Sequence, residues 1–343
     1  MIGIYEWGWK NHLYPVFGAV NKNQKEIQMA TLLNKIVFIG GKGGVGKSTS
    51  AAALAWEAAR LNKKTLLIST DPAHNLGDIF KREIGGQITQ ITRLLSAIEI
   101  DPEKETNNYI MGVKENIKNM MHAGMIEEVN RQLDTAKASP GADESALFNK
   151  LISIIIDEQD HYDHLIVDTA PTGHTIRLLT LPELMGIWID GLLQRRRKTN
   201  QNYSQLLNDG DPVEDPIYDV LSQRQKRFSK ARELLLDQAN TSFIFVLNPE
   251  RLPIVETKKA IQLLEKYHLH VKTLIINKLL PEQADGEFLI QRKEYEQKYV
   301  HQIECTFPSQ EKIYVPLFSH DIIDIQQLEL FGSYYQKHDL LFS

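Results

Sequence analysis

Gly41, Lys42, Gly43, Gly44, Val45, Gly46, Lys47, Ser48 and Thr49 follow one another in a run that ends on a lysine and two hydroxyls. Glycine backbone curls tightly enough to aim successive N–H groups at one centre, and that is how a chain surrounds phosphate oxygens. In the spacing G-x-x-x-x-G-K-[ST], Lys47 is placed to reach the β and γ phosphates and the Ser48 hydroxyl to serve Mg²⁺. Two acids are candidates to join them. Asp71 opens the polar stretch Asp71-Pro72-Ala73-His74-Asn75, where it either faces a γ phosphate or merely forms the turn before Pro72. Asp168 ends the apolar run HLIVD, the form of a Walker B strand whose acid holds Mg²⁺.

These groups need strands behind them and helices in front. Ile36–Ile39 reads as a buried strand, and an Ala-rich helix over about 47–60 follows the glycines, so that its positive end adds to the phosphate site. Residues 64–69 (KTLLIS) form a second buried strand that delivers Asp71, and a third is predicted over 95–100. Asp101-Pro102-Glu103 then marks a helix start. Ile110, Val113, Ile117, Met121, Met125, Val129 and Leu133 recur at three- or four-residue spacing, an amphipathic helical region that Ser139-Pro140-Gly141 breaks. A helix over 143–157 leads into the strand 164–168. Thr169–Thr175, rich in Gly, Thr and Pro, suits a loop that senses the γ phosphate.

Further along, 181–193 is strongly apolar and runs into Arg195-Arg196-Arg197-Lys198, either a solvated helix end or a docking patch for an acidic partner or anionic lipid. The polar stretch 199–215 reads as a loop. Helices over 217–238, 252–267 and around 293–302 alternate with strands over 242–247, 271–276 and 312–315, the first of the last two ending at Asn277-Lys278. Such alternation specifies a doubly wound, mostly parallel α/β sheet with an inserted helical subdomain, assigned to 103–150 and 181–215. No internal repeat is visible, which leaves one nucleotide site per chain.

Composition narrows the class. At 343 residues with 42% apolar content and a net charge of -5, the chain has a globular core and no basic excess pointing to nucleic acid. Cys305 is the single cysteine, so no disulfide and no cysteine-only metal site forms within one chain. No apolar run approaches the roughly 20 residues of a spanning helix, and a soluble, cytoplasmic protein is expected. Residues 1–28 carry Trp7, Trp9 and several other aromatics without the pattern of a signal peptide; they read as an N-terminal extension before the phosphate-loop domain at 29–343.

GKGGVGKS at 41–48, STDPAHNLGD at 69–78 and DTAPTGHTIRLL at 168–179 resemble the ArsA-type ATPases, a family that includes the arsenite-efflux motor and the guided-entry ATPase for tail-anchored membrane proteins. SPGADE at 139–144 and IINKLLP at 275–281 extend the resemblance over about residues 30–330. It implies ATP and Mg²⁺ as ligands, Asp71 as the group that positions the attacking water, and Ser48 with Asp168 around Mg²⁺, the latter through water. Lys42 matches the signature lysine that, in the family, crosses a homodimer interface to the partner's nucleotide. Asn277 matches an adenine contact, with Pro316 and the segment after it, Leu317 and Phe318, packing on the base, while His74 and His174 fall in the switches.

Two departures separate this chain from its relatives. The targeting members often carry a Cys-x-x-Cys pair after the IINKLLP-like strand, and none occurs in 283–298; the efflux motor uses several cysteines for metalloid, against one here. Asp324 stands where the family has glycine. The reading that follows is an ATP-driven dimeric switch for a hydrophobic client or a membrane-associated partner, with Met111, Met120, Met121 and Met125 as an adaptable apolar face or as ordinary core. The alternatives are an energy-coupling subunit of a metalloid transporter and a partition-type positioning ATPase; for the last, residues 332–343 hold too little positive charge for a membrane-binding helix.

Overall fold

The computed structural model describes residues 33–71, 76–118, 142–169, 190–191, 193–195, 197–198 and 216–336. An eight-stranded sheet forms its middle layer. In chain order the strands are β1 (Ile36–Gly41), β2 (Thr65–Ser69), β3 (Thr89–Gln90), β4 (Leu95–Glu99), β5 (His164–Asp168), β6 (Thr241–Leu247), β7 (Val271–Leu279) and β8 (Glu311–Pro316). They lie in the order β3-β4-β2-β5-β1-β6-β7-β8, and all neighbours are parallel except the edge pair β3–β4. The chain begins at the centre of the sheet and works outward to both sides, so β1 marks the switch point where α/β folds place ligands.

The helices are α1 (Lys47–Arg60), α2 (Leu76–Phe80), α3 (Pro102–Lys118), α4 (Ala142–Glu158), α5 (Pro216–Leu236), α6 (Arg251–Lys266), α7 (Glu287–Thr306) and α8 (Ile325–Gly332), followed by a short 3-10 turn, Ser333–Gln336. The expected helix start at Asp101 is present: its carboxylate accepts the backbone N–H groups of Glu103 and Lys104 at 3.0 and 3.1 Å. Boundaries differ from the sequence reading by a few residues. The largest shifts are in β7, which runs through Asn277 and Lys278 to Leu279, and in α7, which starts six residues earlier than expected.

Strand residues alternate between two cores, as a sheet covered on both faces requires. Ile36, Phe38, Leu66, Ile68, Leu165 and Val167 face a cluster completed by Leu147, Leu151 and Ile155 of α4 and Phe228 of α5. Phe38 and Phe243 stack there at 5.2 Å. Leu193 is buried in the same cluster, while Arg195, Arg197 and Lys198 are exposed. Of the helical insertion only α3, the start of α4 and these few residues are described; most of the methionine stripe, including Met121 and Met125, lies outside them, as do residues 1–28.

The opposite face carries Val37, Ile39, Leu67, Ile166, Ile244 and Ile275 against Ala51, Ala52, Ala55 and Ala58 of α1. Small side chains let α1 sit close to the sheet, and that fixes the loop preceding it. The C-terminal segment, which the sequence reading left without structure, closes over α1. Leu328, Phe331 and Tyr335 enter the same core, and Tyr335 Oη donates to the Ser50 carbonyl at 3.0 Å. Gly332 lies so near Glu57 that a Cβ would meet the glutamate Cγ at 2.6 Å. Asp324 caps α8 by accepting Gln327 N–H at 2.9 Å, and the Gln327 side chain returns a bond to Ile323 N–H.

Tyr335 therefore ties the C-terminus to the first turn of α1, directly behind the phosphate loop. Tyr335→Phe is expected to cost about 1 kcal/mol, the net worth of one hydrogen bond, and Tyr335→Ala about 3–5 kcal/mol, as for a large buried aromatic. Urea denaturation measures both, and equal stability of Tyr335→Ala and wild type would show that this segment does not brace α1.

Candidate active site

Everything the sequence nominated for chemistry, within the described residues, gathers at the carboxyl edge of the sheet. The loop 41–46 bridges β1 and α1, and its backbone requires glycine at two close approaches. At Gly41, φ is +147° and a Cβ would lie 2.3 Å from the Val246 carbonyl; at Gly46, φ is +96° and a Cβ would lie 2.4 Å from Asn277 Nδ2. Gly46 is also the N-cap of α1 and provides no side-chain cap. The first-turn amides stay available for an anion.

The loop carbonyls are held by the protein. Lys278 Nζ donates to Gly44 O at 2.8 Å, Asn277 Nδ2 to Val45 O at 2.8 Å, Ser50 N to Gly46 O at 3.0 Å and Lys47 Nζ to Lys42 O at 3.3 Å. A peptide unit whose C=O is tied inward turns its N–H outward, so these bonds build the concave row of donors that phosphate oxygens need. Asn277 is 3% exposed, and its Oδ1 accepts Lys278 N–H at 2.9 Å. The amide retains one N–H and one lone pair, the complement an adenine edge would engage.

Lys47 is buried beneath the loop. Desolvation lowers its pKa, and the charges of Asp168 and Asp71 work against that. Asp168 is fully buried at the end of β5, and burial pushes its carboxyl up to about 7, opposed by the Ser48 hydroxyl, Lys47 and Ser69 and reinforced by Asp71. Its Oδ1 has no hydrogen-bond partner among the described residues, and Oδ2 accepts from Ser69 Oγ at 3.5 Å. An orphaned carboxylate oxygen next to the Ser48 hydroxyl fits a hard divalent cation. Asp71 leaves β2 with its N–H on Ser69 Oγ at 3.3 Å, and its charge acts on both Lys47 and Asp168. Thr169 Oγ1 donates to Ile39 O at 2.7 Å, locking the end of β5 to β1.

Pro316 pairs with Leu279, and Leu317 N donates to Leu279 O at 2.6 Å, which seats both beside the strand of Asn277. Leu317 is 44% exposed and free to pack on a base, whereas Phe318 turns away to stack on Phe331 at 5.7 Å. Lys42 is placed at the outer rim, with Nζ 3.8 Å from Glu256 Oε1 of α6. His74 and His174, with most of the loop after Asp168, lie outside the described residues. The sequence reading did not single out Lys278, Ser69, Glu99 or Glu256; Lys278 alone had a local signal, its place after Asn277 near a strand end. A cavity of about 330 Å³ lies elsewhere, among α3, α4 and α5, next to Tyr109, Ile152, Arg224 and Phe228.

A glycine loop between the central strand and its helix, a buried lysine beneath it and an acid ending the neighbouring strand define a P-loop nucleoside triphosphatase. The family is more specific. The model of the anion-transporting ATPases matches residues 34–337, and the chain belongs to that family and is an ATPase. It is 35% identical to a putative arsenical pump-driving ATPase 2 of Aquifex aeolicus over 88% of this chain and 98% of the relative. It is 32% identical to the ATPase GET3 of Phaeosphaeria nodorum, over 85% and 92% respectively. It is 31% identical to an ATPase ASNA1 homolog of Paramecium tetraurelia, over 87% and 91%. Among the described residues no helix is long and apolar enough to cross a membrane.

The raised pKa of Asp168 has a definite sign in stability. An unfolded aspartate loses its proton near 3.8 while the native one keeps it to about 7, so the native state binds more protons across that window and its stability falls as pH rises through it. In ligand-free protein, Asp168→Asn is expected to flatten the decline between about pH 4 and 7, measured by urea titrations at several pH values. Parallel wild-type and variant curves would mean that Asp168 is ionised and solvated in the native protein.

Proposed function

We propose that the chain works as an ATP-hydrolysing homodimer in the cytoplasm that binds and releases a hydrophobic client, with a membrane-associated partner as its delivery point. The observation that carries the catalytic part is the convergence of Lys47, Ser48, Asp71 and Asp168 on one loop of outward-facing amides. Lys47 and the loop bind the β and γ phosphates, Ser48 and Asp168 hold Mg²⁺, and Asp71 orients the water that attacks the γ phosphate. Bound Mg²⁺ supplies charge neutralisation on the phosphates. Phosphoryl transfer leaves little covalent work to the protein, and positioning and charge are what these residues provide.

Lys42 fits a role in trans. Its pair with Glu256 joins two side chains that are 34% and 42% exposed, and such a pair is worth at most about 1 kcal/mol. The lysine therefore leaves its own chain at small cost. The helical insertion 103–150 and 181–215 is assigned to the client. Met111 of α3 supports this, being 60% exposed while its neighbour Ile110 is buried. The transporter reading is favoured by the name of the Aquifex relative but not by the cysteine count, since one thiol per chain leaves soft metalloid ligands scarce.

Asp71→Asn is expected to keep ATP binding and lose hydrolysis, and Lys42→Ala to lower turnover by roughly 10² to 10³, the loss seen when one preorganised charge donor is removed. Mixing the two variants places both intact groups at one site of a heterodimer, and activity should return. Proven subunit exchange without recovery would assign Lys42 to its own site.

For the client, Met111→Ser should leave melting temperature and basal ATPase near wild type and weaken capture of a hydrophobic helical peptide. Arsenite or antimonite should not stimulate turnover. A clear activation curve with either, together with unchanged peptide capture, would favour the transporter reading instead.

A further inference from the structure

Glu99 is the last residue of β4, 3% exposed, and its Oε1 accepts the backbone N–H of Leu76 at 2.8 Å. Leu76 begins α2 and is itself fully buried. Charge-assisted bonds from a backbone amide to a buried carboxylate are firm. What sets Glu99 apart is its place in the sheet.

Glu99 is in register with Ser69, and Ser69 with Asp168, so the three side chains stand in one row on one face of the carboxyl edge. Ser69 holds the N–H of Asp71, and Glu99 holds the N–H of Leu76. These two amides are five residues apart in the chain. The backbone at the water-positioning acid and at the start of α2 is thus tied to adjacent strands of the same sheet. Glu99 is held in turn: its own N–H donates to Gly85 O at 3.0 Å, and the next residue, Ile100, donates its N–H to Ser69 O at 2.9 Å.

We propose that Glu99 is a positioning residue for ATP hydrolysis, which, by anchoring Leu76, sets where the Asp71 carboxylate stands relative to the γ phosphate. The inference rests on the assignment of Asp71 to the attacking water. The Glu99 side chain holds the backbone of Leu76, so its influence falls on the placement that the chemical step needs and not on nucleotide affinity. A misplacement of about 1 Å at a reacting group lowers rate by up to about 10²-fold without any loss of ligand contacts.

Steady-state ATPase kinetics on full-length Glu99→Gln, Glu99→Asp and Glu99→Leu test this. Gln keeps the acceptor oxygen at the same reach and should stay within about 3-fold of wild type in kcat. Asp keeps the charge but falls one methylene short, and Leu removes the acceptor. Both should lose roughly 10- to 10²-fold in kcat, with KM for MgATP within about 2-fold. Hydrogen exchange at the Leu76 amide should quicken in Asp and Leu and not in Gln. Wild-type kcat in Glu99→Asp, or a loss in Gln equal to that in Asp, would overturn the proposal, and Glu99→Asp decides it should Leu fail to fold. Asp71→Asn is run alongside: an active Asp71→Asn removes the underlying assignment, whereas an inactive one beside a fully active Glu99→Asp removes the role of Glu99 alone.

Discussion

The inward pull on the phosphate loop's carbonyls is the constraint on which the rest of this structure depends. Glycine makes the curl possible, but by itself it leaves the loop free to take many shapes. Shape comes from outside the motif, from Asn277 and Lys278 at the far end of β7, 232 and 234 residues away from the carbonyls they bind. Lys278 reaches Gly44 from a left-handed backbone position, φ +60°, where a lysine is uncommon. The sheet order explains how this is done: β6 alone separates β1 from β7, which brings the end of β7 within a side chain's length of the loop.

The same edge concentrates charge that the protein has taken out of water. Lys47, Glu99 and Asp168 are all 5% exposed or less. Burying them is tolerable because each meets an opposite charge, a backbone amide or a hydroxyl, and because the strands that carry them are fixed on both faces by apolar packing. Asp168 is the partial exception, with one oxygen unpaired among the described residues and a pKa pushed up to about 7. An unpaired, buried carboxylate oxygen fits the cation site proposed for Asp168.

How much of this was legible in sequence follows from where each signal resides. The strand–loop–helix at 36–60, the acid at the end of 164–168 and the parallel alternation were readable, because apolar runs, glycine spacing and an Ala-rich helix are local patterns. The short α2 and β3, five and two residues long, carry too few residues for any period to show. The C-terminal α8 has a cap and an apolar face, yet nothing local says that it closes over α1; Gly332 and Tyr335 matter through Glu57 and Ser50, the second of these 285 positions earlier. Likewise Asn277 was nominated for adenine through resemblance, while its bond to Val45 is a tertiary fact. Glu99 reads in sequence as an acid at the end of an apolar strand, with no sign of which amide it would meet.

Lys42 and Lys47 sit five residues apart in one loop and illustrate how environment divides roles between like side chains. Lys47 is buried, its ammonium bonded to the carbonyl of Lys42 itself and attracted by two carboxylates that cannot leave. It is a fixed part of the floor. Lys42 faces outward in a pair that water screens and that costs little to break. A charge held so loosely contributes almost nothing to the stability of its own chain, yet it is placed at its root, because Gly41 before it is paired to β6 and the carbonyl of Gly44 beyond it is tied to β7. A mobile tip on a fixed root suits the role in trans proposed for Lys42, since the pair with Glu256 is the contact that the side chain would have to give up. Under that proposal the competition is between a screened carboxylate and a dense triphosphate, and the screened partner is the weaker of the two.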